Sequence, residues 1–400
     1  MIYDTVIIGG GASGLYAAAH SEMQNGLIVC NRNRPGMKLL MAGGGQCNLT
    51  HGGSIKDFPG HYGENGKRIR GVLYKHSNEA VVSYFTEKGV PLTEREGGKV
   101  FPASGKADAV LALLLTEAKK NGFAFCNDNA EHISLINDET ERIYRVLCTN
   151  GEYRCRKLIV ATGGCSYPET GSDGSMFSTL EDMGILLVPR RPALTPIFVQ
   201  DYPYADLSGI SFQGVEVRCG RRISTGDILF THRNFSGPVI LNASRYTAQG
   251  DEMKINHLPY EGQFSEKLKR LQPGNNKMLA VVLGTFGIPK AFAEVLQTRA
   301  QITDKKFSSF SGAELAQIAR YITADTFCVS ALGSYRQAMA TAGGVDLGEI
   351  DLNTMQCKRH PGIYIIGEAL DVDGDTGGYN LQFAFASGYA AAVHNKRKTR

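Results

Sequence analysis

The chain of 400 residues has no tryptophan, no Cys-x-x-Cys pair, and no apolar run approaching the roughly 18 to 20 residues that a membrane helix needs. The last absence excludes a helical membrane protein. Cysteines are present but isolated, at positions 30, 47, 126, 148, 155, 165, 219, 328 and 357. An odd set without ligand-like histidine spacing excludes a disulfide framework or zinc site and fits reduced cytosolic thiols. The N-terminus has no basic leader region and reaches Asp4 at once, so a cytoplasmic location is expected. Charge of one sign is also scarce: 43 Lys and Arg face 39 Asp and Glu, a net +4 that Lys396, Arg397, Lys398 and Arg400 equal by themselves. A near-neutral body predicts no nucleic-acid or membrane partner and points to a small-molecule substrate. With 42% hydrophobic and 20% charged residues the chain is an ordinary globular one, long enough for about two or three domains.

Glycine is what the chain has in excess, 47 residues against a usual share of roughly 7%. Adjacent glycines occur at 9 to 11, 43 to 45, 52–53, 97–98, 163–164, 343–344 and 377–378. None falls between Gly164 and Gly343. That interval holds Pro192, Pro196, Pro203, the strand-like Val215-Glu216-Val217 and an amphipathic region from Lys277 to Arg320. It reads as a second domain inserted into the first, giving segments 1–189, 190–323 and 324–400.

Thr5-Val6-Ile7-Ile8 fits a buried parallel strand, followed by Gly9-Gly10-Gly11-Ala12-Ser13-Gly14 and then apolar residues at helical spacing from Leu15. Strand, G-x-G-x-x-G and helix form the dinucleotide-binding βαβ arrangement. Gly9 permits the turn, Gly11 lets the backbone approach a pyrophosphate, and Gly14 lets helix and strand pack closely. The helix N-terminus then offers free N–H groups to phosphate.

A second strand, Leu27-Ile28-Val29, should end on an acidic residue for the adenosine ribose. Cys30 stands there, so the contact falls to the Asn31 amide or to the backbone, or is simply missing. Arg32 and Arg34 suit either a 2′-phosphate or a solvated turn. The run Pro35 to Thr50 places three glycines beside Lys38 and Asn48, as a close-approach loop over a cofactor would. Cys47 within it reads as a small packing residue. Leu158 to Gly164 is another strand ending in a glycine turn, after a meander-like stretch from Phe123. Near the end, Gly362 to Glu368 delivers an acidic side chain, Asp371 to Tyr379 form a polar glycine loop, and Asn380 to His394 an apolar helix. A helix N-terminus in that place suits the pyrimidine edge of a flavin.

In order along nearly the whole chain, PGMKLLMAGGGQCNLT, KVFPASGKADAVLALL, LIVATGGCSYPETGSDG, GDILFTHRNFSGPVIL, ATAGGVDL and GIYIIGEALDVDGDTGGYNLQFAFASG resemble the BaiN-type family of NAD(P)/FAD-dependent oxidoreductases, which includes aminoacetone-oxidase-like flavoproteins. The resemblance implies an α/β fold: a Rossmann-like FAD-binding domain of the two-dinucleotide-binding-domain flavoprotein type, split by an inserted β-barrel plus helical cap domain. It implies that Gly9, Gly11, Ala12, Ser13 and Gly14 hold the pyrophosphate, and that Lys38, Leu39, Gly43, Gly44, Gly45 and Asn48 line the flavin and phosphate region. Ala161, Thr162 and Gly163 would pack on the nucleotide, Glu368 and Asp371 would reach the ribityl or phosphate groups, and Gly378, Asn380, Leu381 and Gln382 would meet the isoalloxazine edge. Two positions depart from the family pattern: Cys30 where it usually has Asp or Glu, and Gln46 where it has Arg, which removes a cation.

Such a flavin would accept hydride from NADH or NADPH and deliver it from N5 to the β-carbon of an enone-type C=C bond. A protein acid would protonate the α-carbon, with Tyr379, Tyr167 and His232 as candidates. Each has a plainer role open to it: ring packing for Tyr379, loop anchoring for Tyr167, helix capping for His232. Arg336 suits a substrate carbonyl or carboxylate, or an acidic neighbour. With one G-x-G-x-x-G in the chain, the nicotinamide would have to dock against the insert or visit the flavin transiently. Oxidation of a small amine with release of hydrogen peroxide is the alternative, and binding of nucleic acid or a membrane surface by Asn395 to Arg400 a third reading.

Overall fold

The computed structural model describes residues 1–22, 25–31, 34–137, 141–260 and 262–396; Arg32 and residues 397–400 of the basic tail lie outside them. The chain divides into two compact units, residues 1–192 with 338–400, and residues 193–337.

In the first unit β1 (Ile2–Ile8) leads into α1 (Ala12–His20), β2 (Gly26–Cys30) and the short α2 (Met37–Met41). A three-stranded antiparallel sheet follows, made by β3 (Thr50–His51), β4 (Leu92–Glu94) and β5 (Lys99–Pro102), with α3 (Gly66–Lys75) and α4 (Asn78–Glu87) between its first two strands. Next come α5 (Ala107–Lys120), β6 (Phe123–Asn127), the meander β7 (Ala130–Asn137), β8 (Arg142–Cys148) and β9 (Gly151–Val160), then α6 (Met176–Asp182) and β10 (Leu187–Ala193). The run Thr5 to Ile8 lies at the middle of the sheet, parallel to β2 on one side and β9 on the other. With a helix on each crossover, both faces of these strands are covered, which is why they read as unbroken apolar runs. Val6, Ile7, Ile28, Ile159 and Val160 have no exposed surface.

The second unit is a closed barrel of β11 (Ile197–Val199), β12 (Ser211–Cys219), β13 (Arg222–Phe230), β14 (Phe235–Ser236), β15 (Glu252–Asn256) and β16 (Asp325–Leu332). Its helices are α7 (Pro238–Ser244), α8 (Phe264–Leu271), α9 (Leu279–Gly284), α10 (Lys290–Arg299) and α11 (Gly312–Thr323). The unit has its own core, in which Phe230, Phe235, Phe292, Leu296 and Ile318 are fully buried. The buried carboxylate of Asp325 accepts from Tyr204 and from Arg299 Nη1 at 2.7 Å, which joins β16 to α10 at the edge of that core. The sequence-based return at residue 324 falls one strand early. β16 pairs with both β11 and β15, so the barrel closes only once it is included, and the boundary falls between Gln337 and Ala338.

Back in the first unit, β17 (Ala340–Val345) pairs with β10, while β18 (Ile350–Asp351), β19 (Gln356–Cys357) and β20 (Ile363–Ile365) extend the main sheet to the order β18-β19-β20-β9-β1-β2-β6. The strand after Gly362 is thus parallel to β9. The last helix, α12 (Tyr379–Lys396), packs on α1. Gly388 makes that approach possible: a Cβ there would stand 2.7 Å from the Ser13 carbonyl oxygen.

Candidate functional site

The three motif glycines divide their work. Gly9 turns with φ +108°, and a Cβ on it would sit 2.3 Å from the Ala161 carbonyl oxygen. One on Gly14 would sit 2.1 Å from the Gly9 oxygen, whereas one on Gly11 meets nothing within 4 Å. The packing of the chain itself therefore demands Gly9 and Gly14, and leaves open room at Gly11, over the first turn of α1. That turn carries backbone N–H groups with no intrahelical acceptor. Ala12 and Ser13 begin it, and Ala161, Thr162 and Gly163 follow β9 beside it, with Ala161 N–H donating to the Ile8 carbonyl at 2.8 Å.

Beside this turn lies a small open cleft, bordered by Gly9, Val29, Asn31, Asp128, Thr162 and Gly171 among others. The thiol of Cys30 does not border it. It is packed under the glycine loop, where a Cβ on Gly10 would stand 2.3 Å from Sγ, and burial pushes its pKa up to about 11. A neutral thiol facing inward is not the ribose acceptor. The Asn31 amide is on the cleft, donating to the Gly171 carbonyl at 3.2 Å. Asp128, which sequence reasoning missed, places an acid next to the end of β2: its N–H donates to the Cys30 carbonyl at 2.9 Å. Its carboxylate accepts from Asn129 N–H and from the backbone and side chain of Asn150.

The segment from Gly43 to Cys47 is a run of left-handed backbone, with Gly43, Gly44, Gly45 and Cys47 all at positive φ. A Cβ on Gly44 would meet nothing within 4 Å, and the buried Oδ1 of Asn48 has no hydrogen-bond partner. Cys47 is fully buried, with its thiol pKa pushed up to about 12, in keeping with a packing role. Leu39 is buried on α2. The cation missing at Gln46 is brought from another element: Arg95 donates to Gln46 Oε1 and lies over the Phe101 ring.

A polar knot follows. Lys38 Nζ lies 2.6 Å from Glu368 Oε2 and 2.5 Å from Ser166 Oγ, while Glu368 Oε1 accepts from Ser166 Oγ at 2.7 Å and from Thr341 N–H at 2.9 Å. Glu368 therefore ties α2, the turn after β9 and β17 together, with both oxygens engaged. Asp371 is similarly committed, to Asn65 Nδ2 at 2.9 Å and Gly343 N–H at 3.1 Å, and burial raises its pKa.

At the start of α12, Gly378 could not carry a side chain, since its Cβ would stand 2.4 Å from the Thr50 oxygen. Asn380 closes the preceding loop onto Gly374 through both amide atoms. Gln382 is fully buried, accepting from Thr50 Oγ1 at 2.7 Å and donating to the His76 carbonyl at 2.8 Å, so its side chain braces α12. Leu381 beside it is partly exposed.

Tyr379 is 4% exposed and sits in a ring cluster with His51, Phe58, His61 and Tyr62. His61 stacks on it at 4.0 Å and 13°, with Nε2 3.0 Å from the Tyr379 hydroxyl and Nδ1 3.0 Å from Asp375 Oδ2. Burial, then Asp375 and Asp57, raise the Tyr379 pKa, so the hydroxyl keeps its proton. His61 and Asp375 carried no local sequence signal, because they lie 314 residues apart. Tyr167 is partly buried in the same unit, at φ +54°, an unusual conformation for an aromatic residue. His232 and Arg336 are exposed on the second unit, and the N-cap residue of α7 is Gly237.

A parallel sheet with this glycine turn defines a Rossmann-type dinucleotide-binding protein. Within that class the chain belongs to the family described as "HI0933-like protein Rossmann domain", whose model matches residues 3–394. Among similar proteins, the ribosomal RNA dihydrouridine synthase of Haemophilus influenzae is 32% identical over 99% of both chains. The 3-dehydro-bile acid delta(4,6)-reductase of Clostridium scindens is 30% identical, over 96% of this chain and 97% of that one. Among solved structures, 3-ketosteroid delta1-dehydrogenase from Sterolibacterium denitrificans has a similar fold, with TM-score 0.53 and 14% identity over 99% of both chains.

The residues present fit FAD. Open room at Gly11 and Gly44 and the unpartnered acceptor Asn48 Oδ1 are features that the packing of the chain leaves unexplained and a bound dinucleotide would use.

Proposed function

We propose that this protein reduces a carbon–carbon double bond conjugated to a carbonyl, with NADH or NADPH as the source of electrons, and that the bond is C5=C6 of uracil in ribosomal RNA. The observation that carries this reading is end-to-end similarity to two enzymes whose names describe the same bond chemistry. Dihydrouridine is uridine saturated at C5=C6, next to the C4 carbonyl. A 3-dehydro-Δ4,6 steroid is likewise an extended enone.

When bound, FAD supplies hydride at N5. Gly11, Ala12 and Ser13 would hold its pyrophosphate with backbone N–H groups, and the cleft at Asn31 and Gly171 would take the adenosine. Thr162 and Gly163 would border the nucleotide, and Asn48 Oδ1 would offer it an acceptor beside the Gly43 to Gly45 loop. The Lys38–Glu368 pair fixes the turn at Ser166, and Tyr379 retains a proton for the α-carbon.

RNA as substrate draws support from charge. The near-neutral total hides an asymmetry: residues 193–337 hold 16 Lys and Arg against 12 Asp and Glu, while the rest, without the last five residues, holds 23 against 27. A basic insert on an acidic body suits a polyanion. A small free enone is the second reading, favoured by the match to the bile-acid reductase.

The test is nucleoside mass spectrometry of ribosomal RNA from a strain deleted for the gene. The RNA reading expects one or more dihydrouridines to disappear and to return when purified protein, FAD and NADPH are added. Unchanged RNA, together with turnover of small enones, would replace it with the second reading.

A further inference from the structure

We propose that His61, held between Asp375 and Tyr379, is the proton reservoir of the reduction, returning a proton to Tyr379 each time Tyr379 has protonated the α-carbon of the substrate. The inference rests on the reading of the chain as a C=C reductase and adds two residues to it, His61 and Asp375.

Tyr379 has 4% of its surface exposed, whereas 37% of the His61 side chain is exposed, so water reaches the imidazole more readily than the phenol. Contacts on three sides fix the imidazole: the ring stack on Tyr379, Asp375 Oδ2 at Nδ1, and the Tyr379 hydroxyl at Nε2. The backbone reinforces the pair, with Asp375 N–H donating to the His61 carbonyl at 2.9 Å and Tyr62 hydroxyl donating to the Tyr379 carbonyl at 2.7 Å. A carboxylate on one ring nitrogen and a reacting hydroxyl on the other is the arrangement in which a histidine moves protons. Ionisable neighbours include Asp375 and Tyr379 on the loop before α12 and at its start, His51 on β3, and Asp57 and Tyr62 on the segment of His61 itself.

The step balances. Hydride added at the β-carbon pushes the C=C electron pair onto the carbonyl as an enolate. The α-carbon then takes the Tyr379 proton as the C–H bond forms and the O–H bond breaks. The phenolate takes a proton from Nε2 of the His61 imidazolium, which the Asp375 carboxylate stabilises. Neutral His61 regains its proton from water at its exposed edge.

The test separates half-reactions in the FAD-loaded protein. In His61→Gln, anaerobic bleaching of the flavin by NAD(P)H and its first reoxidation by substrate should stay within about twofold of wild type, while the re-protonation of Tyr379, read as the multiple-turnover rate, slows by roughly 100-fold or more. In His61→Gly, added imidazole should restore that step at least about tenfold. Equal slowing of both half-reactions, or no rescue, would overturn the proposal. A second readout needs neither FAD nor substrate: ¹³C NMR of tyrosine Cζ, with Tyr379 assigned by Tyr379→Phe, should show Tyr379 ionising at lower pH in Asp375→Asn. An unmoved resonance in a protein that turns over overturns the relay alone. If neither an enone nor uridine-containing RNA reoxidises the wild-type flavin, the reductase reading fails and the relay falls with it.

Discussion

Replacing Gly11 separates folding from cofactor binding. Its backbone, at φ −84° and ψ −170°, is one that any residue adopts, and a Cβ there meets nothing within 4 Å. Gly11→Ala should therefore leave the apo-protein intact or stabilise it by about 0.4–1 kcal/mol, through the unfolded chain. The larger side chain of Gly11→Val occupies the room over α1 and denies phosphate its N–H donors. Loss of two charge-assisted hydrogen bonds at about 1.5–3 kcal/mol each corresponds to a rise in the Kd for FAD of roughly 10²- to 10⁴-fold. Gly14→Ala is the contrasting control: its Cβ would stand 2.1 Å from the Gly9 oxygen, and overpacking should cost the fold about 1–3 kcal/mol. Thermal unfolding of the apo-proteins and titration with FAD read the two effects separately. Retention of FAD by Gly11→Val within about threefold of wild type would refute the reasoning and remove this loop as the pyrophosphate site.

Further outcomes follow from the same geometry. Asp325→Ala strips Arg299 of its carboxylate and should destabilise the inserted unit by about 3–5 kcal/mol, seen as faster hydrogen exchange confined to residues 193–337; exchange at wild-type rates would contradict it. Ser311→Ala opens the capping box of α11 and should cost about 1 kcal/mol. Glu314 in that box has its pKa lowered to about 2, first by Lys305 and then by Ser311 N–H. A depressed acid contributes its stability above the unfolded pKa, so α11 should weaken as pH falls from about 4.5 towards 2, and Glu314→Gln should abolish that dependence in an acid titration followed by circular dichroism. Tyr379→Phe should slow substrate reduction far more than flavin reduction, and equal slowing in stopped flow would leave Tyr379 a packing role.

The features legible in the sequence are local ones. Strand, glycine turn and helix from Thr5 onward reveal themselves because Gly14 answers Gly9 within the same turn and Gly9 answers the adjoining strand, while Gly11 stays open. Long-range pairing is what escaped. β16 follows a helix and looks like the return to the first unit, yet its partners β11 and β15 lie up to about 135 residues away in sequence. The family resemblance alone assigns Gln382 to the cofactor, and the partners of its side chain, Thr50 and His76, lie more than 300 residues earlier. The loss of arginine at Gln46 read as a lost cation until Arg95 arrived from the turn before β5. The net charge hid its own distribution, since all of the net +4 falls on residues 193–337 once the basic tail is counted with the first unit.

The central claim is that this flavoprotein passes electrons to a conjugated C=C bond. The most direct measurement is to load the protein with FAD, reduce it by light without air, and mix it in separate experiments with uridine-containing ribosomal RNA and with a steroid enone, following absorbance near 450 nm. The account predicts that the flavin band returns at a substrate-dependent rate, with a product two hydrogens heavier. A band that returns only when oxygen is admitted, with hydrogen peroxide formed, would contradict it and favour an oxidase.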